Sequence, residues 1–126
     1  MTKAEAYEAA WRLGFKGDFS LVDQIYHPEY TAVENNTDME VDLSMDKSAA
    51  LALGESIIPG PYLCLIEDSN FLRMRIYGKY KEAEIFQSIT TSITYKNGKI
   101  ITQESKVIEL DSDPSEGQDW NWEDYV

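Results

Sequence analysis

Apolar residues recur at helical spacing in the first part of the chain and at alternating spacing in the rest. Over residues 3–15, Tyr7, Ala10, Trp11 and Gly14 fall at i, i+3, i+4 and i+7, with Glu5, Glu8 and Arg12 opposite them. This predicts an amphipathic helix that ends between Gly14 and Gly17. Phe19, Val22, Ile25 and Tyr26 predict a second helix over 19–26, capped by Asp18 and stopped by Pro28. Tyr30-Thr31-Ala32-Val33-Glu34 is β-rich and predicts a short strand. Residues 35–44 are polar and irregular. Ala49, Leu53 and Ile57 mark a third helix over about 46–58, which Pro59-Gly60-Pro61 should end.

Beyond those prolines the period changes to two. Strands are predicted near 62–67, 71–79, 83–96 and 99–110, with turns at Asp68-Ser69-Asn70, near Tyr80-Lys81, and at Asn97-Gly98. Asn-Gly between two alternating runs is a strong hairpin signal. Helices first and a strand meander afterwards make an α+β fold. The expected form is a cone: a strongly bent antiparallel sheet with the N-terminal helices packed on its concave face. Residues 1–111 would form this domain, and 112–126 a separate tail.

Composition narrows the partners. The 126 residues carry a formal net charge of −12. Residues 109–126 hold seven acids and no base, while the other 108 hold 16 acids against 11 bases. Such a surface repels phosphate backbones and anionic lipid, which argues against nucleic acid and membrane as partners. No apolar run approaches the ~18–20 residues of a membrane span. The polar start Met1-Thr2-Lys3-Ala4-Glu5 and the single cysteine lead to the expectation of a cytoplasmic protein. Cys64 sits in the run Tyr62-Leu63-Cys64-Leu65-Ile66 and reads as buried and inert.

One histidine and one cysteine cannot build a Cys/His zinc site, and no glycine-rich phosphate loop is present, so no metal and no cofactor is expected. His27, just before a helix-stopping proline, reads as a local hydrogen-bonding residue. Arg73, Arg75 and Tyr77 share one strand face, where the arginines either clamp a carboxylate ligand or meet the acidic surface.

The glycine-aspartate pair Gly17-Asp18, the stretch Ile25-Tyr26-His27-Pro28-Glu29-Tyr30 and the hairpin Asn97-Gly98-Lys99-Ile100 stand in an order that resembles the NTF2-like family. Within it the likeness is to small SnoaL-like and ketosteroid-isomerase-like proteins, over roughly residues 3–110. The resemblance implies a cone with an internal pocket and a homodimer paired through the outer sheet face. Counting from Gly17-Asp18, it places the isomerase general base at Glu34, at the end of the first strand. It places Ala10 and Thr91 where the isomerases carry a tyrosine and an aspartic acid, so their oxyanion hole is absent.

Alternation puts Tyr30, Ala32 and Glu34 on one face. On 83–95 one face reads Ala83, Ile85, Gln87, Ile89, Thr91, Ile93 and Tyr95. On 99–109 it reads Ile101, Gln103, Ser105 and Val107. These faces are either a plain core wall or the lining of a half-polar pocket. Trp11, Tyr30, Gln87, Thr91, Gln103 and Ser105 are the candidate ligand contacts, with Glu34 the candidate base. Two function classes follow. One binds a small, largely apolar organic molecule and converts it by acid-base chemistry of isomerase, hydrolase or cyclase type. The other is a non-catalytic dimeric binding or interaction module. The acidic tail composes like a disordered segment. Trp120, Trp122 and Tyr125 would order it if buried over the cavity mouth or on a neighbouring subunit.

Overall fold

The computed structural model describes residues 1–34 and 39–126, with backbone alone at 33, 34 and 39. Helix α1, Lys3–Gly14, starts with a reciprocal cap. Thr2 Oγ1 accepts from the Glu5 N–H at 3.1 Å, and Glu5 Oε1 accepts from the Thr2 N–H at 3.0 Å. Gly17 follows its end at φ 95°, a left-handed conformation that glycine adopts without strain. Helix α2, Ser20–Ile25, is short, and the expected Asp18 cap is displaced by one residue. Phe19 holds the cap position, while Asp18 Oδ1 accepts from the Ser20 N–H and hydroxyl in the turn before it.

Strand β1, Tyr26–Glu34, starts four residues earlier than expected. Its register with β6 shifts between Tyr26 and Thr31, so Pro28 sits in the irregular stretch and removes no ladder bond. His27 Nδ1 accepts from the Glu29 N–H at 3.0 Å, a local role. Of the irregular stretch expected over 35–44, residues 35–38 lie outside the described residues. Met39–Val41 form a short strand β2.

Helix α3, Leu43–Ser56, begins at an Asp42 cap that accepts from the Met45 N–H. Strand β3, Ile57–Glu67, then begins five residues earlier than expected and takes in Pro59-Gly60-Pro61, the residues expected to end the helix. β3 is a sheet edge with a register shift between Pro59 and Tyr62, and prolines are tolerated at such places. Its edge carbonyls at Pro59 and Gly60 accept from the Arg12 guanidinium, at 3.3 and 2.8 Å. Cys64, expected to be buried, is exposed on this edge strand.

Strands β4 (Phe71–Tyr80), β5 (Phe86–Lys96) and β6 (Lys99–Leu110) complete the sheet. The β5–β6 turn has Asn97 and Gly98 at φ 55° and 78°, as a two-residue hairpin requires. The described residues form six strands in the order β2-β1-β6-β5-β4-β3. The sheet is curved and mixed, not purely antiparallel, because β1 lies parallel to β6. The chain leaves β1 through β2, α3 and three further strands before β6 returns beside it, and a connection of that length permits a parallel pair.

The main core lies between the helices and the concave face. It joins Tyr7, Ala10, Trp11 and Val22 to Leu72, Met74, Ile93 and Ile100. A second cluster lies on the outer face, where Ile58 and Phe86 pack on Trp122. There the tail is seated, with its last turn, Trp122–Tyr125, a 3-10 turn. Trp120 stacks on Tyr77 at 6.2 Å and Trp122 on Phe86 at 6.1 Å. Outer-face pairing of two copies would therefore share that face with the tail. Arg73 and Arg75 lie on the outer face too, paired in register with Ser92 and Thr90. Arg73 Nε donates to Ser92 Oγ at 3.1 Å.

Candidate ligand cavity

A cavity of about 310 Å³ lies between the concave face and helices α1 and α3. The strand register explains its wall. Ile76 faces Ile89, Gly78 faces Gln87 and Met74 faces Thr91 across β4–β5, while Thr91 faces Ser105 and Ile89 faces Val107 across β5–β6. With side chains alternating, one face of β5 brings Gln87, Ile89 and Thr91 inward. The structure thus gathers Trp11, Gln87, Thr91, Gln103 and Ser105 on one lining. Tyr30 is not on it. It is buried behind the wall, where its hydroxyl donates to Asp46 Oδ2 at 2.7 Å. The side chain of Glu34 lies outside the described residues, and its backbone pairs with Ser105 of the lining.

The inner end of the cavity is polar and cross-linked. Trp11 Nε1–H donates to the Tyr26 hydroxyl at 2.9 Å, and that hydroxyl donates to Gln103 Oε1 at 2.7 Å. The rings of Tyr26 and Tyr30 meet edge to face at 4.7 Å. Thr91 and Ser105 share a hydrogen bond of 3.0 Å. Tyr7 and Tyr62 also line the space, their rings 6.4 Å apart. Burial pushes the phenol pKa values of Tyr7, Tyr26, Tyr30 and Tyr62 well up, so all four stay neutral hydroxyls at physiological pH.

Among the described residues Asp46 is the carboxylate on this lining. Burial raises its pKa above the usual range. The Tyr30 hydrogen bond works the other way, and the charge of Asp42 adds to the rise. Sequence reasoning passed over Asp46, although a signal was present. Asp46, Ala49, Ala50 and Leu53 follow i, i+3, i+4 and i+7, so the acid interrupts the apolar stripe of α3 and is carried inward with it. Tyr7 was likewise visible as part of the inward stripe of α1.

Toward solvent the wall becomes apolar. Leu53 of α3 and Val107 of β6 form the lips and remain 42% and 49% exposed. A second hollow of about 490 Å³ shares Phe15, Ile57 and Pro59 with the first, and Tyr125 and Val126 of the tail form part of its wall. The Arg12 guanidinium lies between these parts, 4.8 Å from the Tyr62 ring and 5.0 Å from the Tyr125 ring. Among the described residues no group of three or more His, Cys, Asp or Glu could hold a metal ion. No helix among the described residues is long and apolar enough to cross a membrane.

No family model matches the chain, and no curated protein matches it significantly. Solved structures do. An NTF2-like protein of unknown function from Burkholderia xenovorans superposes with a TM-score of 0.60, at 19% identity, over 97% of this chain and 91% of its own. An NTF2-like protein of unknown function from Cytophaga hutchinsonii gives 0.60 at 17% identity, over 83% of this chain and 98% of its own. A protein provisionally named a polyketide cyclase, from Sinorhizobium meliloti, gives 0.55 at 12% identity, over 81% and 94%. At these identities the likeness shows the fold, which is the NTF2-like fold.

Proposed function

We propose that this NTF2-like chain binds a small, largely apolar organic molecule in the cone and moves a proton on it, with Asp46 as the base. The observation that carries the reading is a half-buried carboxylate of raised pKa on the lining of a mostly apolar cavity, beside neutral phenols. A base is most effective when its pKa approaches the working pH, and burial moves Asp46 in that direction. Tyr30 holds the carboxylate by one oxygen, Oδ2. The donors that would steady negative charge developing on a carbonyl oxygen are the Tyr7 hydroxyl and the amide nitrogen of Gln103, whose Oε1 is already taken by Tyr26. Asp46 would take a proton from the carbon next to the carbonyl, leaving an enolate, and return one to it. Glu34 is the second candidate base, because its backbone pairs with the lining residue Ser105.

The test is proton exchange in heavy water. 2-Tetralone, an apolar ketone with acidic α-hydrogens, should exchange them faster with the protein than with buffer alone. Asp46→Asn should abolish the acceleration while 2-tetralone still binds. Exchange lost in Glu34→Gln and kept in Asp46→Asn would transfer the role to Glu34. Binding with no exchange above buffer would overturn the catalytic reading and leave a ligand-binding module.

A further inference from the structure

The polar groups of the cavity are not equivalent. The carbonyl oxygen of Gln103 is committed to Tyr26, and Thr91 to Ser105. Gln87 is different. It is half-buried on the lining, and among the described residues its side-chain amide has no hydrogen-bond partner. The neighbouring strand makes room for it. A Cβ on Gly78 would stand 3.3 Å from Gln87 Cγ and 3.4 Å from its Nε2, so the absence of a side chain there lets the amide lie across β4. Gln87 is four positions from Thr91 on the same strand face, about 13 Å at ~3.3 Å per residue. The residues between, Ile76, Ile89 and Val107, are apolar.

The cavity therefore has a polar inner end at Asp46, Gln103 and Thr91, a middle walled by Ile76, Ile89 and Val107 beside the Tyr62 hydroxyl, unpartnered among the described residues, and an uncommitted amide at Gln87 near the apolar lips. We infer that its ligand is an elongated molecule with a flat or aliphatic apolar body and a hydrogen-bonding group at each end, and that Gln87 is the residue that reads the outer group. An amide both donates and accepts, so it receives a hydroxyl or a carbonyl there. A ligand without that group leaves the amide with water or without a partner, and binds less tightly. This rests on the cavity's being a ligand site, as proposed above, but not on its being catalytic.

The probes are 2-naphthol and 2,6-dihydroxynaphthalene, the same apolar body with one polar end or two, titrated by calorimetry. The wild-type chain should bind the diol about five- to tenfold more tightly than the mono-ol, the increment of one hydrogen bond. Gln87→Leu should remove that preference, so that the diol binds no more tightly than the mono-ol. Gly78→Ala, whose Cβ would crowd Ile57 Cγ2 at 3.2 Å and Gln87 Cγ at 3.3 Å, should reduce the preference in the same direction. Gln87→Met, which keeps the side-chain length, is the alternative if the leucine variant does not fold. A folded variant that keeps the diol preference overturns the inference. So does equal binding of the two probes by the wild type. If neither probe binds the wild type, the cavity reading itself falls. Proton exchange is a separate readout, so loss of the catalytic reading does not touch this one.

Discussion

The Trp122 indole N–H donates to Asp113 Oδ1 at 3.0 Å, across nine residues of an acid-rich tail. The same oxygen accepts the N–H and the hydroxyl of Ser115, at 2.8 and 2.7 Å. Burial of Asp113 works to raise its pKa, but these bonds outweigh it and hold the carboxyl below its ordinary range. The tail is thus held by a local hook as well as by its packing on the sheet. Trp122 then covers Ile58 and Phe86 and is 6% exposed.

Trp122→Ala should cost about 2–4 kcal/mol, near the range for large-to-small changes at buried aromatics. Ordering each tail residue costs about 1–2 kcal/mol of backbone entropy, and the tail's acids repel one another. The aromatic cluster is the main term against both. Thermal denaturation checks this, and an unchanged melting temperature would mean the tail is not held by Trp122. Deletion of 112–126, which takes Trp122 with it, should lower stability by a similar amount.

The aromatics of this tail were legible as groups that need burial. Their seat was not, because sequence alternation marks two faces of a strand without saying which face is covered. The long strands and the Asn97-Gly98 turn were legible for a physical reason: both depend on local period and local φ. The passage of β3 through Pro59-Gly60-Pro61 was not, because proline is tolerated or excluded according to whether the strand is an edge. The parallel β1–β6 pair was hidden for the same kind of reason, since strand order is set by long-range contacts. In the site, alternation brought out Gln87, Thr91, Gln103 and Ser105. It missed Asp46, because that acid lies on the α3 helix, where strand alternation carries no signal.

Gly54→Ala tests the junction that holds α3 over the cavity. Alanine in a helix is favoured over glycine by about 1 kcal/mol. Here the added Cβ would stand 2.4 Å from the Phe15 carbonyl oxygen, a backbone atom that cannot turn away. The clash exceeds the propensity gain, so the variant should melt lower than the wild type and bind cavity probes more weakly as α3 shifts. A higher melting temperature would show that α1 and α3 can separate at little cost.

The stability of the chain should also report the buried carboxylate. The folded-state pKa of Asp46 is raised, chiefly by burial, above the 3.8 of an ordinary aspartate. The folded chain therefore holds the proton more tightly than the unfolded chain does. The stabilisation this brings is fully present below the unfolded value and is lost as pH rises through the folded value. Asp46→Asn removes the titration and keeps a side chain that can accept from Tyr30. The wild type should thus be at its best relative to this variant in acid, and lose ground steadily as pH rises toward neutrality, until the variant equals or exceeds it. Paired denaturant melts of the two proteins from pH 4 to pH 7 measure the difference directly, and other groups that titrate over this range largely cancel between them. A difference that stays flat, or that grows in favour of the wild type with rising pH, would show that Asp46 is not desolvated and would remove the physical basis for assigning it the base.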